Sequence, residues 1–207
     1  SNNGANADFL TVKYSPTGAI VWRAVTNGAA NRDDLAYAVA VDGSGNVFVT
    51  GTTQTANNWN YLTVKYDANG NELWRSTYNG NSNCDDAAHD IVVAPNGDVL
   101  VTGISFVSTA YNNYNYITLR LKGSDGTLVW QASLDGAGNG YDHASAIALD
   151  PMGLPVVTGY SSNGANPDYV TVKYDAGGAE LWRVPLNGAA NGTDLALDVA
   201  VDALGNV

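Results

Sequence analysis

Residues 61–75 read YLTVKYDANGNELWR, and this stretch decides the fold. Tyr61 to Tyr66 is an alternating strand-like run, Asp67 to Gly70 supplies turn residues, and a second apolar run opens at Leu73 and Trp74. Two β-rich runs joined by a Gly-containing turn are the pattern of a hairpin. The same hairpin recurs from Phe9, Tyr116 and Tyr169. Its tryptophans, Trp22, Trp74, Trp130 and Trp182, fall 52, 56 and 52 residues apart, and Asp34, Asp86, Asp142 and Asp194 keep the same spacings. A unit of roughly 50 residues holding several short strands matches a propeller blade, whereas helical and leucine-rich solenoid units are shorter. The expected fold is therefore all-β: a β-propeller of four-stranded antiparallel blades, in about four repeats of roughly 52 residues spanning 1–207.

Working outward from the hairpin, each unit holds four strand-like runs, A to D, the first complete set being Ala36 to Asp42, Val47 to Gly51, Tyr61 to Tyr66 and Leu73 to Tyr78. One face of strand A is small, with Ala36, Ala38 and Ala40 in one copy and Ala144, Ala146 and Ala148 in another, which suits the crowded axis where blades converge. Strand D carries Pro185, which cannot donate a ladder hydrogen bond, so D is expected at the outer edge. Pro155 opens a strand B, another permitted position. The tryptophan of strand D is expected to pack between neighbouring blades, where burial contributes roughly 2 to 3 kcal/mol. A single blade cannot hide both faces, so stability must come from stacking.

Composition narrows the function. The 207 residues carry a formal net charge of −11, and of 20 acidic residues all but Glu72 and Glu180 are Asp, a turn residue. Seven of the nine basic residues recur at repeat positions: Lys13, Lys65, Arg120 and Lys173 in strand C, and Arg23, Arg75 and Arg183 after a Trp. They mark a structural register and leave too few for a basic patch, which argues against nucleic acid. Cys84 stands alone, so no intrachain disulfide forms. No apolar run reaches the length of a membrane span, so no membrane insertion is expected.

The pattern Asp168-Tyr169-Val170-Thr171-Val172-Lys173-Tyr174, then Gly178 and Leu181-Trp182, then Ala200-Val201-Asp202 and Gly205-Asn206-Val207, resembles the bacterial β-propeller repeat called SBBP, and the resemblance covers essentially the whole chain. It implies a propeller inside a large secreted or cell-surface bacterial protein, with no common biochemical activity and no catalytic residues to carry over. The third unit departs from the pattern by three extra residues before Asn115, one before Trp130, and Leu121 in place of Tyr. Ser1 aligns with Ser161 and Val207 with Val47, so four consecutive blades of a longer propeller protein are expected, with a four-bladed ring as the alternative.

Antiparallel strands alternate in direction, so the A-to-B and C-to-D turns share one face of the disc and the longer B-to-C and D-to-A loops share the other. Binding residues concentrate on variable loops of a rigid scaffold. The loop face holds the candidate ligand-binding residues Trp59, Phe106, Tyr111, Tyr114 and Tyr160. Aromatic, Asn-rich loops can serve as sugar platforms or pack onto the blade top. The D-to-A loops repeat an oxygen-rich formula ending in Asp34, Asp86, Asp142 and Asp194, which can contribute calcium ligands but reads first as a loop clamp. Asp90 and Asp198 replace an Ala of the inner strand, where a carboxylate must face a wet channel, meet a cation or find a hydrogen-bond donor, and pairing with a neighbouring Lys or Arg is the expectation. His89 and His143 share no repeated position, and no catalytic signature is present. The expected function is a non-catalytic interaction or structural module that needs no cofactor and meets a protein or glycan at the cell surface. The alternative is a carbohydrate-binding propeller assisted by calcium.

Overall fold

The computed structural model describes residues 6–108, 113–137 and 140–207. Among them fourteen strands form, every pair antiparallel: β1 (Phe9–Tyr14), β2 (Ile20–Thr26), β3 (Asp34–Val41), β4 (Val47–Gln54), β5 (Trp59–Tyr66), β6 (Glu72–Tyr78), β7 (Asp86–Val93), β8 (Val99–Ser108), β9 (Asn113–Leu121), β10 (Leu128–Leu134), β11 (Asp142–Leu149), β12 (Pro155–Ser162), β13 (Pro167–Tyr174) and β14 (Glu180–Leu186). They build one two-stranded sheet, β1-β2, and three four-stranded sheets, β3-β4-β5-β6, β7-β8-β9-β10 and β11-β12-β13-β14. The A-to-D order read from the hairpin is the order in each sheet. Pro185 lies in the edge strand β14, and Pro155 opens β12.

Strands B and C run further than the apolar pattern suggests. Thr53 pairs with Asn60 and Gln54 with Trp59, so polar residues that read as loop are satisfied by the backbone ladder instead.

The core lies between sheets. Phe48, Tyr61 and Trp74 of one sheet pack on Ala88, Ile91, Val101 and Leu119 of the next. Leu100, Tyr116 and Leu134 then pack on Ala144, Ile147 and Val157 of the following one. The main inter-sheet approaches all run through a first strand, β7 against β3 and β4 and β11 against β8 and β7, and first strands of successive sheets meet, so the small-faced strand is the inner one.

Each complete junction is closed by the same device. Trp22 Nε1 and Lys13 Nζ both donate to Ala68 O, at 3.0 and 3.1 Å. Trp74 Nε1 and Lys65 Nζ both donate to Gly123 O, at 3.1 and 2.8 Å. Trp130 Nε1 and Arg120 Nη1 both donate to Ala176 O, at 3.0 and 2.8 Å. The acceptor sits in the C-to-D turn of the next sheet, where Gly70, Gly126 and Gly178 adopt φ of +87°, +75° and +87° beneath the indole. A Cβ there would meet the ring at 2.7 Å, so only glycine satisfies both the turn and the approach. Among the described residues Trp182 covers no such turn, and the Gly18 turn has nothing within 4 Å of its Cβ position.

Strict alternation fails in the inner strands. The register shifts between Ala36 and Ala38, between Ala88 and Asp90, and between Ala144 and Ala146, which makes Tyr37, His89 and Ser145 the extra residues of β-bulges. Opposite each bulge stands a glycine of strand B. At Gly51, Gly103 and Gly159 a Cβ would lie 2.0, 2.1 and 1.9 Å from a carbonyl oxygen of the bulged strand.

Two expectations are corrected. Asp90 pairs with no Lys or Arg: its Oδ1 accepts the Ile91 N–H at 2.8 Å and its Oδ2 accepts the Ile147 N–H of β11 at 2.9 Å. Asp198 accepts the Val199 N–H at 2.8 Å and joins no ion pair among the described residues. Backbone amides of the first strands supply the donors instead. The four-bladed ring is not formed either, because β1 pairs with β2 alone and residues 194–207 join no sheet.

Candidate functional site

The loop-face aromatics sit on strand ends. In the third unit the extra residues lengthen the hairpin, so β8 and β9 run past the sheet and bring Phe106 opposite Tyr114 as a cross-strand pair. Their rings lie 4.8 Å apart at 49°. Tyr114 also meets the next D-to-A loop. Its N–H donates to Gly140 O at 3.3 Å, and its ring stands 4.9 Å from Tyr141 at 57°. These three tilted rings form a ridge in which Tyr141 is 40% exposed and Phe106 and Tyr114 are half-buried.

The row of rings continues onto the first strands of the sheets. Tyr160 pairs with His143 across β12 and β11, their rings parallel within 9° at 4.8 Å. His143 stacks on His89 at 4.4 Å and 20°, and Tyr37 meets His89 edge-on at 6.2 Å. The β7 bulge turns His89 out of the ladder, and its Nδ1 bonds to Ala144 O at 2.9 Å. A carbonyl accepts only from N–H, so in the neutral ring Nδ1 carries the proton and Nε2 is the acceptor. Burial lowers the His89 pKa, and burial together with the His89 charge pushes His143 down to about 4, so both rings are neutral at pH 7. Burial raises the Tyr114 phenol well above its ordinary value, and the neighbouring Tyr160, Tyr141 and Asp142 add to the rise.

The structure therefore joins three of the sequence-predicted residues, Phe106, Tyr114 and Tyr160. Tyr111 lies outside the described residues. Trp59 stands apart as the first residue of β5, with no ring contact to the ridge among the described residues; its N–H donates to Asp85 Oδ1 at 2.9 Å. Tyr141, His143 and His89 were missed by the sequence reading. A ring at equivalent positions in successive units, Tyr37 and His89, was the available signal, but the bulge that faces His89 toward His143 has no periodic signature.

The four aspartates of the oxygen-rich formula act on their own loops. Asp34, Asp86, Asp142 and Asp194 each accept, through Oδ2, the N–H of a glycine six residues earlier, Gly28, Gly80, Gly136 and Gly188, at 2.5 to 2.8 Å. The first three are at most 1% exposed. Burial pushes Asp86 up to about 6, against the opposing pull of Ser105 and the Gly80 N–H. Among the described residues no three His, Cys, Asp or Glu side chains gather as a metal-binding group.

Residues 28–57, the stretch holding β3 and β4, match the family model SBBP, described as a beta-propeller repeat. That match supports the resemblance carried by the repeated motif. No curated protein matches the chain. Among solved structures, the chain is similar to a eukaryotic initiation factor, at 9% identity and a TM-score of 0.50 over 87% of this chain and 43% of that one. It is also similar to BamB from Moraxella catarrhalis, at 16% identity and a TM-score of 0.49 over 84% and 44%. The chain thus spans less than half the length of either.

Proposed function

We propose that this chain is a non-catalytic interaction module of a secreted or cell-surface bacterial protein, and that it holds its partner on the loop face. The observation that carries this reading is the ridge Phe106, Tyr114 and Tyr141, built by an elongated hairpin and left partly open on the loop face. Partly exposed aromatics on a rigid frame supply contact area at low ordering cost. No helix among the described residues is long and apolar enough to cross a membrane.

A saccharide is the second reading, favoured by the 40% exposure of the Tyr141 ring, whose face can stack on sugar carbons. Calcium assistance would require the loop aspartates to exchange their glycine N–H bonds for the ion. A photo-reactive phenylalanine analogue at position 114, with one at Asn96 on the turn face as control, tests the module reading against extracts of surface and secreted proteins. A discrete adduct from position 114 alone is expected; equal labelling from both positions, or none, contradicts it. A glycan array with and without chelator separates the second reading.

A further inference from the structure

The ridge lies in a strongly acidic setting. Residues 79–190 carry eleven carboxylates against four cations, and none of those cations is free to serve the ridge. Arg120 is held by Asp98 at 2.8 Å and by Ala176 O, Lys122 by Asp125 at 3.5 Å, Lys173 by Asp150 at 2.7 Å and Arg183 by Glu180 at 2.7 Å. The first three belong to the turn face. On the loop face, Asp85 and Asp135 are exposed and join no ion pair among the described residues, and Asp85 O accepts the N–H of Phe106 at 3.0 Å.

Aromatic faces attract cations through the ring quadrupole, and a surrounding negative field adds to the attraction. The fold already uses this contact internally, where Lys65 Nζ sits 4.9 Å from the centre of the Phe48 ring. At the ridge no such partner is supplied from within. The rings touch one another at 4.8 and 4.9 Å, so a cation cannot enter between them and must lie across their outer faces. A long, flat side chain on an extended segment fits that approach.

We infer that the Phe106, Tyr114 and Tyr141 ridge receives a basic segment of another protein, with arginine or lysine side chains lying on the rings and the exposed Asp85 and Asp135 completing their charge. This rests on the loop-face reading proposed above and names the class of partner.

The test titrates the 207-residue chain with a synthetic ten-residue peptide of alternating Arg and Gly, followed by calorimetry and by tyrosine ring resonances. Saturable binding is expected, weakened about fivefold or more between low salt and about 0.3 M salt. It should weaken about tenfold in Tyr114→Leu and in Tyr141→Leu, which keep apolar bulk and remove the ring face, and stay unchanged in Trp59→Leu on the same disc face. Thermal midpoints confirm that each variant is folded, and the exposed Tyr141 gives the second reading should Tyr114→Leu be unstable. Absence of binding at about 1 mM peptide, or binding that the leucine variants do not weaken, overturns the inference. A neutral or acidic partner crosslinked at position 114, or a saccharide bound there, leaves the loop-face reading standing and overturns this one.

Discussion

The turn face and the loop face of the sheets are built on different rules. On the turn face the repeats act alike, apart from the turns that Ser15, Ala94 and Lys122 open. Asp42, Asp67, Asp150, Asp175 and Asp202 each use Oδ1 to accept backbone N–H groups two and four residues on, at 2.8 to 2.9 Å, and the Trp and Lys or Arg of one sheet reach the turn carbonyl of the next. On the loop face the repeats share the aspartate clamp and an asparagine whose Nδ2 donates to a loop carbonyl of the next sheet, Asn6 to Arg32 O, Asn58 to Cys84 O and Asn166 to Gly192 O, and then diverge; the ridge arises once, where β8 and β9 outgrow the sheet. The tryptophan clasp is confined to the turn face, and the ridge on the loop face takes no part in it.

The largest effect that sharpens this comparison lies in the tryptophans. Trp74 is 8% exposed and covers the Gly126 turn, so Trp74→Ala is expected to cost about 3 to 5 kcal/mol in denaturant unfolding. Trp182 has no turn to cover in this chain, and Trp182→Ala is expected to cost about 1 kcal/mol or less. Equal losses would break the claim that the turn contact makes the difference. Next comes Gly126→Ala, which adds a Cβ 2.7 Å from the Trp74 ring at φ +75°. It is expected to cost about 1 to 3 kcal/mol, against a few tenths for Gly43→Ala, where nothing lies within 4 Å.

A smaller effect belongs to the loop clamp and shows in pH. The folded chain holds the Asp86 proton up to about 6, above the ordinary value of 3.8, so the folded state binds that proton more tightly than the unfolded state does. Stability from this group is therefore fullest below about pH 4 and falls as pH rises through 6, by up to about 3 kcal/mol. Asp86→Asn should remove that slope between pH 4 and 7 while keeping an acceptor for Gly80. Urea midpoints at the two pH values check it, and an unchanged slope would refute it. Carboxylates of the turns move the other way: the Thr127 hydroxyl and N–H hold Asp125 at about 2, so their contribution is lost only at lower pH.

The period, the strand order, the tryptophans that pack between sheets and the fixed positions of Lys and Arg were legible because each repeats, and repetition exposes a structural role. The loop clamp was legible for the same reason. What the sequence hid was local geometry that leaves no mark on the apolar pattern. The bulge at Tyr37, His89 and Ser145 is set by the fit of one strand over a facing glycine, and apolar alternation carries no trace of a one-residue insertion. Its one signal was the Thr-Gly pair recurring at Gly51, Gly103 and Gly159. Without the bulge, His89 and His143 stand at unrelated positions; with it they stack, and the ridge gains its inner half. The Asp90 partner was missed because its acceptor role is filled by backbone, which sequence patterns do not display.

Parallel measurement of unfolding and peptide binding in Tyr114→Leu and Gly126→Ala is the most direct test of the division between the faces. The division predicts that Tyr114→Leu unfolds close to the parent chain yet binds the basic peptide about tenfold more weakly, and that Gly126→Ala unfolds earlier yet binds normally. Stability and binding falling together in both variants would contradict it.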